Sequence, residues 1–334
     1  MWDETKCNRC LECLRRCKYI DKEKYDEKKM MKEINALIEG KDTDILRDCI
    51  VCRACNEYCP KGADPFDRIA ELHEKFGMIF VPEMATFDRM QYWPNRVIKG
   101  ESDKPVLCLC IMEPGMYPHR TFEGQMFDGL TVVRGGDYFC ASGIVLGGGW
   151  NRMRELVKRF VDNLAKLEAE EIIFPHDDCY GTLTHLAPGW GIEVPFKYVH
   201  IFEYMRDYLK EHQDRITKLN KKVAYQRNCM SRYIPREIFA VLDEVFELIG
   251  VERVARKYDR EDALCCAGVI ADPERRTNIQ DMNVIDAKVH GAEAMTFVCG
   301  GCAAISMACY RHGLAPIYLV NLVRMALGEK RYPA

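Results

Sequence analysis

The chain has 334 residues, 48% of them hydrophobic and 30% charged, with a formal net charge of −3. That length suffices for two domains, and a charge so close to balance removes the electrostatic case for nucleic acid or an anionic membrane surface. The departure from ordinary composition is 18 cysteines. No apolar leader precedes them in Met1-Trp2-Asp3-Glu4-Thr5-Lys6, and the longest weakly polar stretch, 138–150, is too short and glycine-rich to span a bilayer. These features predict a cytoplasmic protein that meets a membrane only through a partner, and whose cysteines ligate metal.

In chain order, the first signal is Cys7-x2-Cys10-x2-Cys13-x3-Cys17, answered by Cys49-x2-Cys52-x2-Cys55-x3-Cys59 with Pro60 behind it. This is the bacterial ferredoxin run, in which three close thiolates serve one cubane and the fourth cysteine serves the other. It assigns Cys7, Cys10, Cys13 and Cys59 to one [4Fe–4S] cubane, and Cys17, Cys49, Cys52 and Cys55 to a second. Structural zinc is the competing use of four thiolates, but it favours separated CxxC pairs. Lys18 departs from the pattern, standing where a second proline is expected. The helix-favouring stretch 11–16 and the long insert at 18–47, with Ile34, Leu37, Ile38 and Ile45, predict an all-helical ferredoxin domain. A further helix should start at Asp64-Pro65 and end at Gly77, and the Met- and Pro-rich stretch after it reads as a linker packed across the surface.

Beyond the linker, short apolar runs alternate with long amphipathic ones, the mark of an α/β unit. Runs at 105–110, 131–133, 171–174, 223–225 and 296–298 predict strands. Stretches 151–169, 201–219, 235–249 and 303–312 predict helices. The region also repeats: Cys140, His176 and Cys179 align with Cys265, Cys299 and Cys302 at offsets of 125, 123 and 123. Either Cys108 or Cys110 matches Cys229, and Val199-His200-Ile201 matches Val320-Asn321-Leu322. Near-constant offsets predict duplicated lobes. The expected fold is therefore α+β and multidomain. A helical ferredoxin domain (1–80) and a linker (81–104) precede a degenerate first α/β lobe (105–219) and a second lobe (220–334).

In the second lobe Cys229, Cys265-Cys266 and Cys299-x2-Cys302 each follow an apolar run, so they should gather at the carboxyl ends of strands. Gly268, Gly300 and Gly301 leave room for a bulky group. This arrangement resembles the CCG domain of heterodisulfide reductase and its relatives. The resemblance implies a non-cubane [4Fe–4S] cluster on Cys229, Cys265, Cys266, Cys299 and Cys302. With the ferredoxin run, it extends to the reductase subunit that fuses both domain types, and to similar subunits of sulfate-reduction membrane complexes and of anaerobic glycerol-3-phosphate dehydrogenase. Two departures stand out: Ala267-Gly268 follows the double cysteine where the family has glycine directly, and Cys229 lacks its usual flanking Pro and His.

The matching site of the first lobe is eroded to Cys140-Ala141-Ser142-Gly143 and His176-Asp177-Asp178-Cys179. Cys110, Cys140, His176 and Cys179 make up a zinc-type set of three thiolates and an imidazole. An altered cluster, a relic or a substrate-facing pocket are the other readings, and the erosion favours the last two. His176 beside Asp177 and Asp178 is also a candidate proton donor. Cys309, on the apolar side of its helix, reads as core.

No glycine fingerprint for a dinucleotide follows a strand; Gly147-Gly148-Gly149 lacks the spacing and the acidic partner. Flavin or NAD is therefore expected on another chain. Two functions stay open: an electron-transfer subunit linking a flavoprotein, cytochrome b or dehydrogenase partner to the second-lobe cluster, and a catalytic disulfide reductase. The erosion of one site favours the first.

Overall fold

A computed structural model describes residues 1–112 and 120–333. The N-terminal part is helical: α1 (Glu12–Arg15), α2 (Glu27–Glu39), α3 (Asp44–Asp48), α4 (Ala54–Tyr58) and α5 (Pro65–Lys75). Asp26 caps α2 by accepting from the Lys29 amide, Met30, Ile34 and Leu37 give it one buried face, and Gly40 at φ 68° ends it. Both cysteine runs fold alike. The residues on either side of the middle cysteine are left-handed (Arg9 60°, Leu11 67°; Val51 60°, Arg53 63°), which winds the chain round one point before α1 or α4 begins. Left-handed non-glycine backbone costs about 1–2 kcal/mol per residue, so four such residues mark a constraint that the surroundings impose.

Behind this domain lie two sheets. The first takes β1 (Arg96–Ile98), β2 (Val106–Cys108), β3 (Thr131–Arg134), β4 (Ile172–Phe174) and β5 (Tyr198–His200) in the order β1-β3-β2-β4-β5. The second takes β6 (Lys221–Tyr225), β7 (Val251–Arg253), β8 (Ala294–Phe297) and β9 (Ala315–Tyr318) in the order β7-β6-β8-β9. Only β1 runs antiparallel among the described residues. Without β1 the two orders are the same. The inner strands read as continuous apolar runs because both faces are covered; Ile172, Ile173 and Phe174 are fully buried.

Helices pack on the sheets. They are α6 (Trp150–Ala165), α7 (Asp177–Gly181) continuing through a π turn into α8 (Ala187–Gly189), α9 (Ile201–Glu211), α10 (Glu237–Leu248), α11 (Pro273–Val289), α12 (Ser306–Arg311) and α13 (Leu319–Ala326). Helix α6 buries Met153, Leu156, Val157, Phe160, Val161 and Leu164 at helical spacing, each worth about 1.5–3 kcal/mol when buried. Helix α11 was not expected from periodicity. Its apolar residues occupy two faces: Ile279, Val284 and Ala287 are buried while Met282, Ile285 and Val289 are exposed. Among the described residues no helix is long and apolar enough to cross a membrane.

The helical domain is fastened to the second lobe. Glu57 of α4 bonds Arg227 and Arg232, and none of the three side chains is more than 9% exposed. Lys18 pairs with Asp262 at 2.7 Å, so the residue that replaces the expected proline is used in docking. Arg275 donates to the carbonyls of Tyr19 (3.0 Å) and Asp48 (3.4 Å). On the first-lobe side, Glu74 accepts from the Asn151 amide at the start of α6.

Candidate iron–sulfur sites

The two ferredoxin runs exchange their fourth cysteines in space. Cys7, Cys10, Cys13 and Cys59 line one pocket, beside Trp2, Arg9 and Leu37. Cys17, Cys49, Cys52 and Cys55 line another, beside Tyr19, Ile50 and Arg53. Burial, then the nearness of Cys59, Cys7 and Cys10, pushes the Cys13 thiol up to about 12. Burial, then Cys17, pushes Cys52 up to about 11. Crowded, buried sulfur donors of this kind resist ionisation alone and suit iron, whose charge offsets theirs.

In the second lobe the five expected cysteines converge beyond the carboxyl ends of β6, β7 and β8. The thiols of Cys266 and Cys302, of Cys299 and Cys302, and of Cys265 and Cys266 are neighbours that shift one another's ionisation. Cys229 lies within electrostatic range of Cys299 and Cys266. The sulfur-only donor set fits an iron–sulfur group. Ala267 sits at φ 58°, a conformation glycine adopts freely, which is the physical reason for the family's glycine directly after the double cysteine. The added methyl costs about 1 kcal/mol there. At Gly268 a Cβ would approach Ala304 Cβ to 3.0 Å.

The first lobe brings Cys110, Cys140 and Cys179 together, all buried, with their sulfurs within 4.8 Å. Cys108, the last residue of β2, is left in the core, and Cys110 is the member that joins the group. His176 does not. Its Nε2 lies 3.3 Å from Cys299 Sγ of the other lobe and 3.2 Å from Asp178. Burial works against charge on this imidazole, but Asp178 and Cys299 reverse the effect and raise it to about 10. The four residues read from sequence as a zinc set are thus split three and one, and no fourth His, Cys, Asp or Glu donor joins the three thiols among the described residues.

The geometry explains the split. The turn at Ala141 (φ 61°), with Ile144 N–H on its carbonyl, repeats the turn at Ala267 (φ 58°), with Ile270 N–H on its carbonyl. Cys140 therefore corresponds to Cys266, one residue from the sequence alignment, and Phe139 stands where Cys265 does. Likewise Cys179 N–H reaches the His176 carbonyl as Cys302 N–H reaches that of Cys299, both at 3.1 Å. His176 thus occupies the place of Cys299, and these equivalent residues touch where the lobes meet. Three of the five thiols persist in the first lobe, and the two changed positions are an aromatic and an imidazole.

Comparison with known proteins agrees with this division. Residues 6–64 match the family described as "4Fe-4S dicluster domain", and residues 223–305 the family described as "Cysteine-rich domain". Over 301 residues the chain is 27% identical to a subunit of the dihydromethanophenazine:CoB–CoM heterodisulfide reductase of Methanosarcina mazei, covering 78% of this chain and 71% of that one. The chain is homologous to this heterodisulfide reductase subunit. The corresponding protein of Methanosarcina barkeri is 26% identical over 164 residues, 45% of this chain and 38% of that one. A crystal structure of a hypothetical protein from Helicobacter pylori shares the fold, with a TM-score of 0.56 and 13% identity over 95% of this chain and 75% of that one. Two of its segments thus match iron–sulfur and cysteine-rich domain families, and most of its length is similar to a heterodisulfide reductase subunit.

Several contacts of these sites carry no sequence signal. Asp178 accepts from Ser142 Oγ (2.8 Å) and Asn228 Nδ2 (2.9 Å), tying the eroded lobe to the segment that carries Cys229. Asp177 turns away to His200 at 2.9 Å, both fully buried, so only Asp178 faces the cysteines. Tyr19 accepts from the Cys265 amide at 2.6 Å. Arg53 donates to Cys229 Sγ at 3.4 Å across 176 residues of sequence. The expected Cys309 is fully buried in the apolar cluster below Cys299 and Cys302.

Proposed function

We propose that the chain is the electron-transfer subunit of an anaerobic redox complex, carrying electrons between a flavin or haem partner and a cluster on the second lobe. The proposed ligands are Cys7, Cys10, Cys13 and Cys59 for one cubane and Cys17, Cys49, Cys52 and Cys55 for the next. Cys229, Cys265, Cys266, Cys299 and Cys302 are the proposed ligands of a non-cubane cluster. Such clusters, when bound, accept and release single electrons at potentials set by charge, hydrogen bonds and burial around them. One observation carries the reading: Cys52 and Cys265, from two different ligand sets, share an apolar group with Ile50, Ala267, Ile270 and Ile279. The Tyr19 hydroxyl closes the gap by bonding the Cys265 amide. The pocket of Cys7 and Cys10, next to the exposed Arg9, is the proposed entry end.

The three first-lobe thiols lack two of the five positions, so this lobe is read as a wall against the second-lobe site and not as a second cluster. We place the protein in the cytoplasm, with any membrane contact made by its partner.

Anaerobically prepared protein is expected to hold more than about 8 irons per chain, the content of two cubanes. Iron analysis at or below that value, with the second lobe empty, would remove the assignment there.

A second reading, direct reduction of a disulfide at the second-lobe site, is favoured by one feature. His176 sets its Nε2 3.3 Å from Cys299 Sγ, and Asp178 holds both His176 and Asn228, the residue before Cys229; a buried relay does not need these polar groups. The two readings part on addition of thiol to oxidised protein. A relay should show an unchanged electron paramagnetic resonance spectrum. Direct catalysis requires a new paramagnetic signal that Cys265→Ala or Cys299→Ala abolishes while both cubane signals remain.

A further inference from the structure

Both cysteine runs bury the residue after their middle cysteine: Leu11 is 2% exposed and Arg53 is 3% exposed. Leu11 packs into the apolar core of the helical domain. An arginine at the matching place is a buried cation, which is costly unless negative charge meets it. Its Nη1 donates at 3.4 Å to the Val51 carbonyl and at 3.4 Å to Cys229 Sγ. Its guanidinium lies 5.1 Å from the Phe66 ring centre and 5.9 Å from that of Tyr233, while Nε is buried without a partner. Tyr233 is itself fixed by its hydroxyl on Asp67 at 2.6 Å and by stacking on His185. The partner that meets this cation directly is therefore a sulfur ligand of another domain.

We propose that Arg53 is the charge that couples the cubane site of the helical domain to the cluster site of the second lobe. The inference rests on the ligand sets and electron route proposed above. Arg53 stands between Cys52 and Cys55 in sequence, lines the pocket of Cys17, Cys49, Cys52 and Cys55, and reaches Cys229 Sγ at 3.4 Å, so one buried positive charge adjoins both proposed ligand sets. An electron moving from one site to the other leaves the first more positive by one charge and the second more negative by one. No bond forms or breaks and no proton is required. A fixed cation between the sites favours the reduced state of each, and being shared it holds the two potentials in step. The residue acts on the reacting iron through the sulfurs, so its role is positioning of charge.

The test is a redox titration of the anaerobically reconstituted full chain, with dithionite as reductant, followed by electron paramagnetic resonance after iron content has been measured for each variant. Arg53→Leu, which copies the other run, is expected to disfavour reduction of both adjoining clusters at least tenfold, about 59 mV for one electron. The cluster on Cys7, Cys10, Cys13 and Cys59 should keep its potential and serve as internal reference. Arg53→Lys should recover most of the shift. Should Arg53→Leu lose iron, Arg53→Gln removes the charge at similar size and is expected to show the same fall. Unmoved potentials in the uncharged variants, or an equal shift in the reference cluster, would overturn the role of Arg53 alone. A wild-type chain that holds no second-lobe iron would overturn the underlying assignment, and the coupling with it.

Discussion

Glu57→Ala is expected to destabilise the docked protein by about 3–5 kcal/mol, the usual cost of removing one partner from a buried ion pair. Glu57 is the shared acceptor of two arginines, Arg227 and Arg232, whose side chains are 6% and 4% exposed. Without it two largely buried cations face each other. Even with Glu57 in place, burial and then the nearness of Arg232 bring Arg227 down to about 10. The backbone carbonyls of Arg260, Glu261 and Ala263, which also accept from these guanidiniums, cannot supply a compensating charge. Urea unfolding of the iron-loaded protein measures the loss, and the triple replacement Glu57→Leu with Arg227→Met and Arg232→Met should recover much of it. A loss below about 1 kcal/mol, the range of surface pairs, would show that the interface admits water or that other contacts hold it.

The second large effect concerns which cysteine serves which cubane. Cys17→Ser should destroy the cluster of Cys49, Cys52 and Cys55, its neighbours in space, and spare the one beside Cys7, Cys10 and Cys13, its neighbours in sequence. The converse holds for Cys59→Ser. The shared pockets are the basis for this. The measurement is a comparison of spectra: Cys17→Ser should lose the signals that Cys52→Ser loses, and Cys59→Ser those that Cys10→Ser loses, each with a deficit of about 4 irons. If Cys17→Ser instead matches Cys10→Ser, the ligand sets must be redrawn.

Spacing alone made much of this legible. Two CxxCxxCxxxC runs encode two pockets because a helical turn and its left-handed entry are local, and the lobes announced themselves because Cys179 and Cys302 recur at a fixed offset. Helix α5 was written in Asp64-Pro65 and Gly77, and α9 and α10 in their apolar periodicity, although α9 ends at Glu211, well short of the expected 219. What stayed hidden depends on residues far apart. The reach of Arg53 to Cys229, the pairing of Glu57 with Arg227, and the contact of His176 with Cys299 arise only when domains are packed, and none leaves a period in the chain. The one-residue error that matched Cys140 to Cys265 has a similar origin. Sequence aligns letters, whereas the equivalence of Ala141 and Ala267 lies in their left-handed turns. Strand β1 escaped because a three-residue edge strand in a polar setting, exposed along its length, has only Val97-Ile98 and no longer apolar run to betray it.

That strand determines how the molecule can move. Val97 of the linker pairs with Val133 of the first sheet, so the chain leaving the helical domain is sewn into the lobe before it enters it. A tether held in this way cannot let its domain travel as a ferry between distant docking sites; under the proposed role the chain would work as a fixed junction to which a partner must come. The same stitch guards the sheet. Cutting the chain after residue 103 to obtain the lobes alone would bare the backbone N–H and C=O groups along β3, and an open strand edge recruits another copy.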